Sequence, residues 1–247
     1  MLFFNKNIND IKQIERLLKN NSLNINPNDY KKILKLINEL KIKMKYYKVS
    51  LYLDDLTNLL NQKFYNIFLN KDFEIKRQEE KELFKEFLQY IKANNMNCIM
   101  FIDFANFKYV NDIHGYDKGD LLLKMFGDFI NLYNVIGIRR GGDEFIIIGN
   151  KEIIQYLAST MRTETFLKYF NQILGIKKII TFPVFSFKCL DLKKIDESNF
   201  KQKINTILVE LEKEYKENKQ KQKEEILKKY FNDNLVKKIL SYRKNGF

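Results

Sequence analysis

The sequence predicts a mixed α/β fold of the α+β type, an antiparallel sheet with helices on one face, on three observations. Two apolar runs, one ending at Ile138 and the other running from Phe145 to Ile148, flank the pair Gly141-Gly142. Such a pair between strand-like runs signals a β-hairpin, because a two-residue loop of the favoured twist needs positive φ, which glycine reaches without a Cβ penalty. A further apolar run, Cys98 to Ile102, has strand length, ends on Asp103 and leads into a helix-like stretch. Around these runs lie stretches whose apolar residues recur at steps of three and four, the spacing of core-facing helices.

The chain opens with residues 8–20, which read as a helix through Ile8, Ile11, Ile14, Leu17 and Leu18 and are ended by the Asn-rich stretch to Asn26. Pro27 opens a second helix, since proline at a first helical position loses nothing by lacking an N–H. In it Ile33, Ile37, Leu40, Met44, Tyr47 and Leu51 follow the seam of a coiled coil, a period of about 3.5 residues. The partner of that seam is either the first helix folded back or a second copy of the chain. Residues 73–95 form a charged amphipathic helix with Leu83, Phe84, Phe87, Leu88 and Ile91 on one face. Strand 98–103 and a short helix come next, then a helix carrying Leu121, Leu122, Met125, Phe126, Phe129 and Ile130 inward. Strand 134–139, the hairpin, strand 144–149, a helix over 151–173 and a last strand over 178–190 with Pro183 complete a ferredoxin-like order. Residues 200–238 are helical and highly charged, a solvated helix by default. The divisions are an N-terminal helical segment at 1–53, a domain at 54–218 and a charged C-terminal helical tail at 219–247.

With 21 Phe and 14 Tyr the chain has ample material for a packed core. Its 44 basic and 31 acidic residues leave a net charge of +13, but the lysines are spread over most segments. No basic stripe with interleaved aromatics stands outside the C-terminal tail, so nucleic acid is not the expected partner. Cys98 and Cys189 lie in apolar runs far apart in sequence and read as free thiols. No uncharged apolar run approaches the roughly 18 residues of a membrane span, and the N-terminus lacks a signal-peptide core. The expectation is a cytoplasmic protein that does not contact membrane.

Asp143 and Glu144 at the hairpin, with Asp103 at a neighbouring strand end, are costly as packing residues. They make sense as hard oxygen ligands for a divalent cation, which usually means Mg²⁺ with phosphates. The two segments strongly resemble the GGDEF family, the diguanylate cyclases. The resemblance rests on Asp103, Phe107, Lys108, Asn111, Asp112, Gly115, Gly119, Asp120, Arg139 and the pentapeptide from Gly141 to Phe145, in the family's order and spacing. Upstream, Asp54, Leu56, Thr57, Leu59 and Asn61 match the motif that opens the family's domain, with Asn58 and Gln62 where Gly and Arg are usual. Asn58 is a tolerable substitute, because Asn enters positive φ more readily than other non-glycine residues.

The resemblance implies the palm fold of nucleotidyl cyclases, GTP as substrate, Mg²⁺ or Mn²⁺ as cofactor with two ions per site, and a homodimer. It implies that Asp103, Asp143, Glu144 and the backbone carbonyl of Phe104 hold metal, with Asp143 and Glu144 catalytic. Lys108 falls at the position that contacts terminal phosphates, Asn111 and Asp120 at those that read guanine, and Gly141 and Gly142 lie against substrate. The chemistry agrees for the base: an amide pairs with O6 or N3, and a carboxylate accepts from N1–H and the 2-amino group, a donor pair adenine lacks. Departures are Ala105 for the second acid of Asp-x-Asp, Tyr116 for a histidine, and Glu212 for a phosphate-binding lysine, with Lys213 and Lys216 close enough to substitute. Leu132 to Val135 replace the motif of an inhibitory product site, so product feedback there is not expected. Three readings stand: a diguanylate cyclase, a degenerate GGDEF module that binds nucleotide or regulates, and, more remotely, a palm of the CRISPR-associated oligonucleotide cyclase type.

Overall fold

The computed structural model describes residues 33, 50–173, 175, 181–191 and 195–230. The helices expected over 8–20 and from Pro27 to Leu51 lie outside the described residues apart from isolated positions, as do 178–180 of the last expected strand and 231–238 of the last helix. The described elements are α1 (Gln62–Phe68), α2 (Gln78–Ala93), β1 (Cys98–Ala105), α3 (Phe107–His114), α4 (Tyr116–Asn131), β2 (Ile136–Gly141), β3 (Glu144–Gly149), α5 (Lys151–Thr160), α6 (Glu164–Ile173), β4 (Phe182–Cys189) and α7 (Phe200–Tyr230). They form the predicted α+β fold, a mixture of helices and one antiparallel sheet in the order β2-β3-β1-β4.

Local chemistry sets the element ends. The Asn61 side chain accepts from Phe64 N–H at 3.1 Å and so starts α1, and Asn150 does the same for α5 through Ile153 N–H at 2.8 Å. The single helix expected over 151–173 is two helices, because Thr163 donates its N–H to Thr160 and its hydroxyl accepts from Phe166 N–H. A threonine able to cap is also able to interrupt, and here it does.

Helices cover both faces of the sheet, not one. Phe101 of β1 meets Tyr215 of α7 with ring centroids 5.3 Å apart, whereas Phe104, an odd number of residues further on, meets Phe126 of α4 at 4.9 Å. Alternate residues of a strand point to opposite faces, so α7 and α4 lie on opposite sides. The near-continuous burial of β1 is the matching sequence signal, since a strand with one wet face would alternate.

The sheet edges are closed by named contacts. Leu60 of the loop before α1 bonds along β2, receiving Arg139 N–H at 2.7 Å and donating to the Gly137 carbonyl at 2.9 Å. On the other edge, Leu190 N–H donates to the Asn97 carbonyl, which fixes the odd residues of β1 as those bonded to β4. Pro183, opposite Phe104, therefore turns its missing N–H outward, where proline is tolerated. Phe185 also turns outward, and Gln222 of α7 takes both its N–H (3.4 Å) and its carbonyl (3.0 Å).

The same register places Cys98 opposite Cys189, their Cα atoms 3.9 Å apart, and the two are joined as a disulfide. The free-thiol reading is corrected: separation in sequence says nothing about neighbours across an antiparallel pair.

Candidate active site

The hairpin between β2 and β3 carries the acids. Gly141 pairs with Glu144, so the two-residue tip is Gly142-Asp143 and not the glycine pair, and of the two glycines only Gly142 needs positive φ, at +51°. Arg139 locks this loop to the start of the domain. Its Nε donates to the Gly142 carbonyl at 3.0 Å and its terminal nitrogen to both oxygens of Asp54, at 3.1 and 3.2 Å. Asp54 also accepts from the N–H and hydroxyl of Thr57. Burial pushes the Asp54 carboxyl up, but the hydrogen bonds from Thr57 and Arg139 outweigh it and hold the group below its ordinary value. Asn58 in this loop has φ +55°, the conformation that lets it stand where glycine is usual.

Asp103 and Glu144 are directly opposite in the β1–β3 ladder, so both side chains rise on the face covered by α7. Asp143 sits beside them at the tip. Its carboxyl is pushed up to about 6, by burial first and by the charge of Asp103 second. A like charge that raises a neighbouring carboxyl in this way marks two acids that a cation between them would relieve. The Phe104 carbonyl joins them: residues of β1 with odd numbers bond to β4, so Phe104 turns its carbonyl toward β3, whose last ladder pair with β1 is Asp103–Glu144.

Helix α7 brings one cation to this face, and β2 a second. Lys219 Nζ lies 3.0 Å from Asp103 Oδ2, with 25% and 14% of the side chains exposed. Arg140 is ion-paired to Glu212 of α7, lies 4.0 Å from Glu144 and stacks over the Tyr65 ring at 5.0 Å. Among the described residues no group of three His, Cys, Asp or Glu side chains converges on one point. Of the two neighbouring acids, Asp103 acts the more strongly on Asp143, and Glu144 leans to Arg140.

A second cluster forms where α3 and α4 meet around Gly115, at φ +85°. The Asn111 Oδ1 is buried and has no hydrogen-bond partner, while a Cβ built on Gly119 would come within 1.9 Å of it. Gly119 thus leaves the space that Asn111 fills. Asp120 follows it, exposed, and Lys108 is exposed on α3. Of the lysines expected on α7, Lys213 is 79% exposed and 3.9 Å from Glu217, and Lys216 is exposed. The lysine that reaches the acids is Lys219, which the sequence did not single out. Asp54 and the anchoring role of Arg139 were also missed, although both stand in matched motifs.

The family described as "Diguanylate cyclase, GGDEF domain" matches residues 51–224. A diguanylate cyclase of Escherichia coli K12, DgcP, is 44% identical over 59 residues, covering 22% of this chain and 17% of that protein. A diguanylate cyclase of Vibrio cholerae serotype O1 is 46% identical over 57 residues, with the same shares of 22% and 17%. The matched stretch is thus under a fifth of either curated relative's length. The structure of the coiled coil and GGDEF domain of DgcB from Caulobacter crescentus, in complex with c-di-GMP, superposes with a TM-score of 0.50 at 15% identity. It covers 78% of this chain and 93% of that one, a likeness of fold.

Proposed function

The chain belongs to the GGDEF domain family, and from that premise we propose that it is a diguanylate cyclase, condensing two GTP into cyclic di-GMP. The observation that carries this reading is the Asp103–Glu144 ladder pair with Asp143 beside it, three acids at the open end of one strand pair.

The donor set suits a divalent cation. The charge of Asp103 raises the cost of ionising Asp143, the Phe104 carbonyl turns the same way, and an ammonium already stands against Asp103. Mg²⁺ or Mn²⁺ bound there, two ions per site, would supply charge to offset the triphosphate and the 3′-oxygen as it attacks the α-phosphorus. The acids hold and orient that charge. Asn111 and Asp120 take the guanine edge, the orphaned Asn111 oxygen or its amide finding its partner in the base. Lys108, Lys213 and Lys216 offer charge to phosphates. A Cβ on Gly141 or Gly142 would meet nothing within 4 Å, so those glycines leave bare backbone that a phosphate can approach. Each site holds one nucleotide, so two copies of the chain must face each other.

A second reading, the degenerate module that binds nucleotide without turning it over, draws on the ion pair that occupies Asp103 and on the three acids not converging. The double variant Asp143→Ala/Glu144→Ala separates acids used in chemistry from acids used in packing. Asp143 at the tip and Glu144 at the head of β3 repel each other and contribute little to folding. The variant is expected to keep the wild-type thermal midpoint within a few degrees while product formation from GTP falls to background. Product at the wild-type rate would remove both residues from the chemistry.

A further inference from the structure

We propose that Lys219 is a built-in cation that holds Asp103 while no metal is bound and must be displaced for a divalent ion to bind there. The proposal rests on the reading of Asp103 as a metal ligand. Its ground is the geometry of α7. Lys219 Nζ is 3.0 Å from Asp103 Oδ2, and both side chains are largely enclosed, in contrast to Lys213 on the same helix at 79% exposed.

Two contacts fix the turn of helix that carries Lys219. One turn before it, Tyr215 packs its ring on Phe101, two residues ahead of Asp103 in β1, and the Lys219 ammonium lies 4.9 Å from the centre of that ring. Three residues after it, Gln222 grips both backbone groups of Phe185, the residue that pairs with Ile102. The helix is therefore pinned to the sheet on either side of Lys219, and a long side chain that would otherwise sweep solvent is aimed at one carboxylate. A Lys–Asp pair held in this way puts a unit positive charge beside the oxygen a divalent ion would need. Mutual repulsion of ion and ammonium then sets the ion's affinity.

Two helical turns earlier on α7, Glu212 is ion-paired to Arg140 of β2, which lies beside Glu144, so α7 supplies a cation directly to Asp103 and touches Glu144 only through that arginine. Among the described residues of α7 the Lys219 contact is the direct one, and it falls on Asp103, the acid whose charge acts most strongly on Asp143. Lys219 is accordingly a residue that tunes metal loading, and docking of α7 is coupled to it.

The test is Mn²⁺ binding to the metal-free full chain without nucleotide, read by electron paramagnetic resonance of free Mn²⁺. Wild type is compared with Lys219→Met, Asp103→Asn and, as a control for loss of one positive charge from the helix, Lys221→Met. Lys219→Met is expected to bind Mn²⁺ at least roughly tenfold more tightly than wild type, Lys221→Met as wild type does, and Asp103→Asn more weakly. Equal affinity of wild type and Lys219→Met, with Asp103→Asn weakened, overturns the proposal and leaves the metal reading standing. No change on Asp103→Asn overturns the metal reading and the proposal with it. If Lys219→Met loses its helical circular dichroism, Lys219→Gln carries the same comparison.

Discussion

Asp143 is pulled two ways, since burial and Asp103 favour its neutral form while the proposed chemistry needs its charge. Its carboxyl binds a proton more tightly in the folded protein, at about 6, than at the ordinary value of 3.8. The stabilisation from that proton is fully present below 3.8 and is lost as pH rises through about 6. Metal-free protein is therefore expected to lose thermal stability across that window and no further from this group above it. Asp143→Asn should flatten the fall, and Mg²⁺ at neutral pH should raise the wild-type midpoint by binding the folded state. Melting curves from pH 4 to 8 with and without Mg²⁺ read all three; an unaltered slope in Asp143→Asn would assign the pH dependence elsewhere. At this scale the sequence was legible where a residue type is rare for its position. Asn58 at positive φ was foreseen because few side chains go there. Lys219 was not, because α7 carries lysines at 201, 203, 213, 216, 219, 221, 223, 228 and 229 and only the phase at which the helix docks brings Lys219 to Asp103.

Between elements, the contact of α3 with α4 is the most exacting in the candidate site. A Cβ on Gly119 would lie 1.9 Å from Asn111 Oδ1 and 3.2 Å from Phe107 Cζ, so Gly119→Ala must push the asparagine out of place. Overpacking of this kind costs about 1–3 kcal/mol, measurable by urea unfolding. It should also weaken GTP binding more than ATP binding, because the displaced amide is the proposed guanine reader. Loss of both nucleotides to the same degree would leave Asn111 a packing residue. The hairpin shows what pattern reading resolves and what it does not. The glycine pair announced a turn, but the tip falls on Gly142-Asp143, because the ladder shifts register between Arg139 and Gly141 and pairs Gly141 with Glu144. A bulge of one residue leaves no mark in hydrophobic pattern. The split of the helix expected over 151–173 has the same origin, a single threonine whose capping bonds compete with helix continuation.

For the whole molecule, the four strands and the acids were legible because apolar runs and motif spacing are properties of the sequence itself, whereas covering both faces, closing the edges and pairing Cys98 with Cys189 are properties of register. Assembly rests on the sequence alone. The stripe from Ile33 to Leu51 ends three residues before Asp54, and if it pairs two copies, specific activity should rise with protein concentration near the dimer dissociation constant. Leu40→Lys, which puts a charge in that seam, should lower it; flat specific activity in a species that sediments as a monomer would place the seam within one chain. The most direct measurement of the central claim is to incubate the purified full chain with Mg²⁺ and each of GTP and ATP and to identify the products by mass. Cyclic di-GMP from GTP, with ATP unreacted, is the result predicted. GTP bound but recovered intact would make the chain a nucleotide-binding module, and linear or cyclic oligoadenylate from ATP would contradict the assignment of Asn111 and Asp120 to guanine.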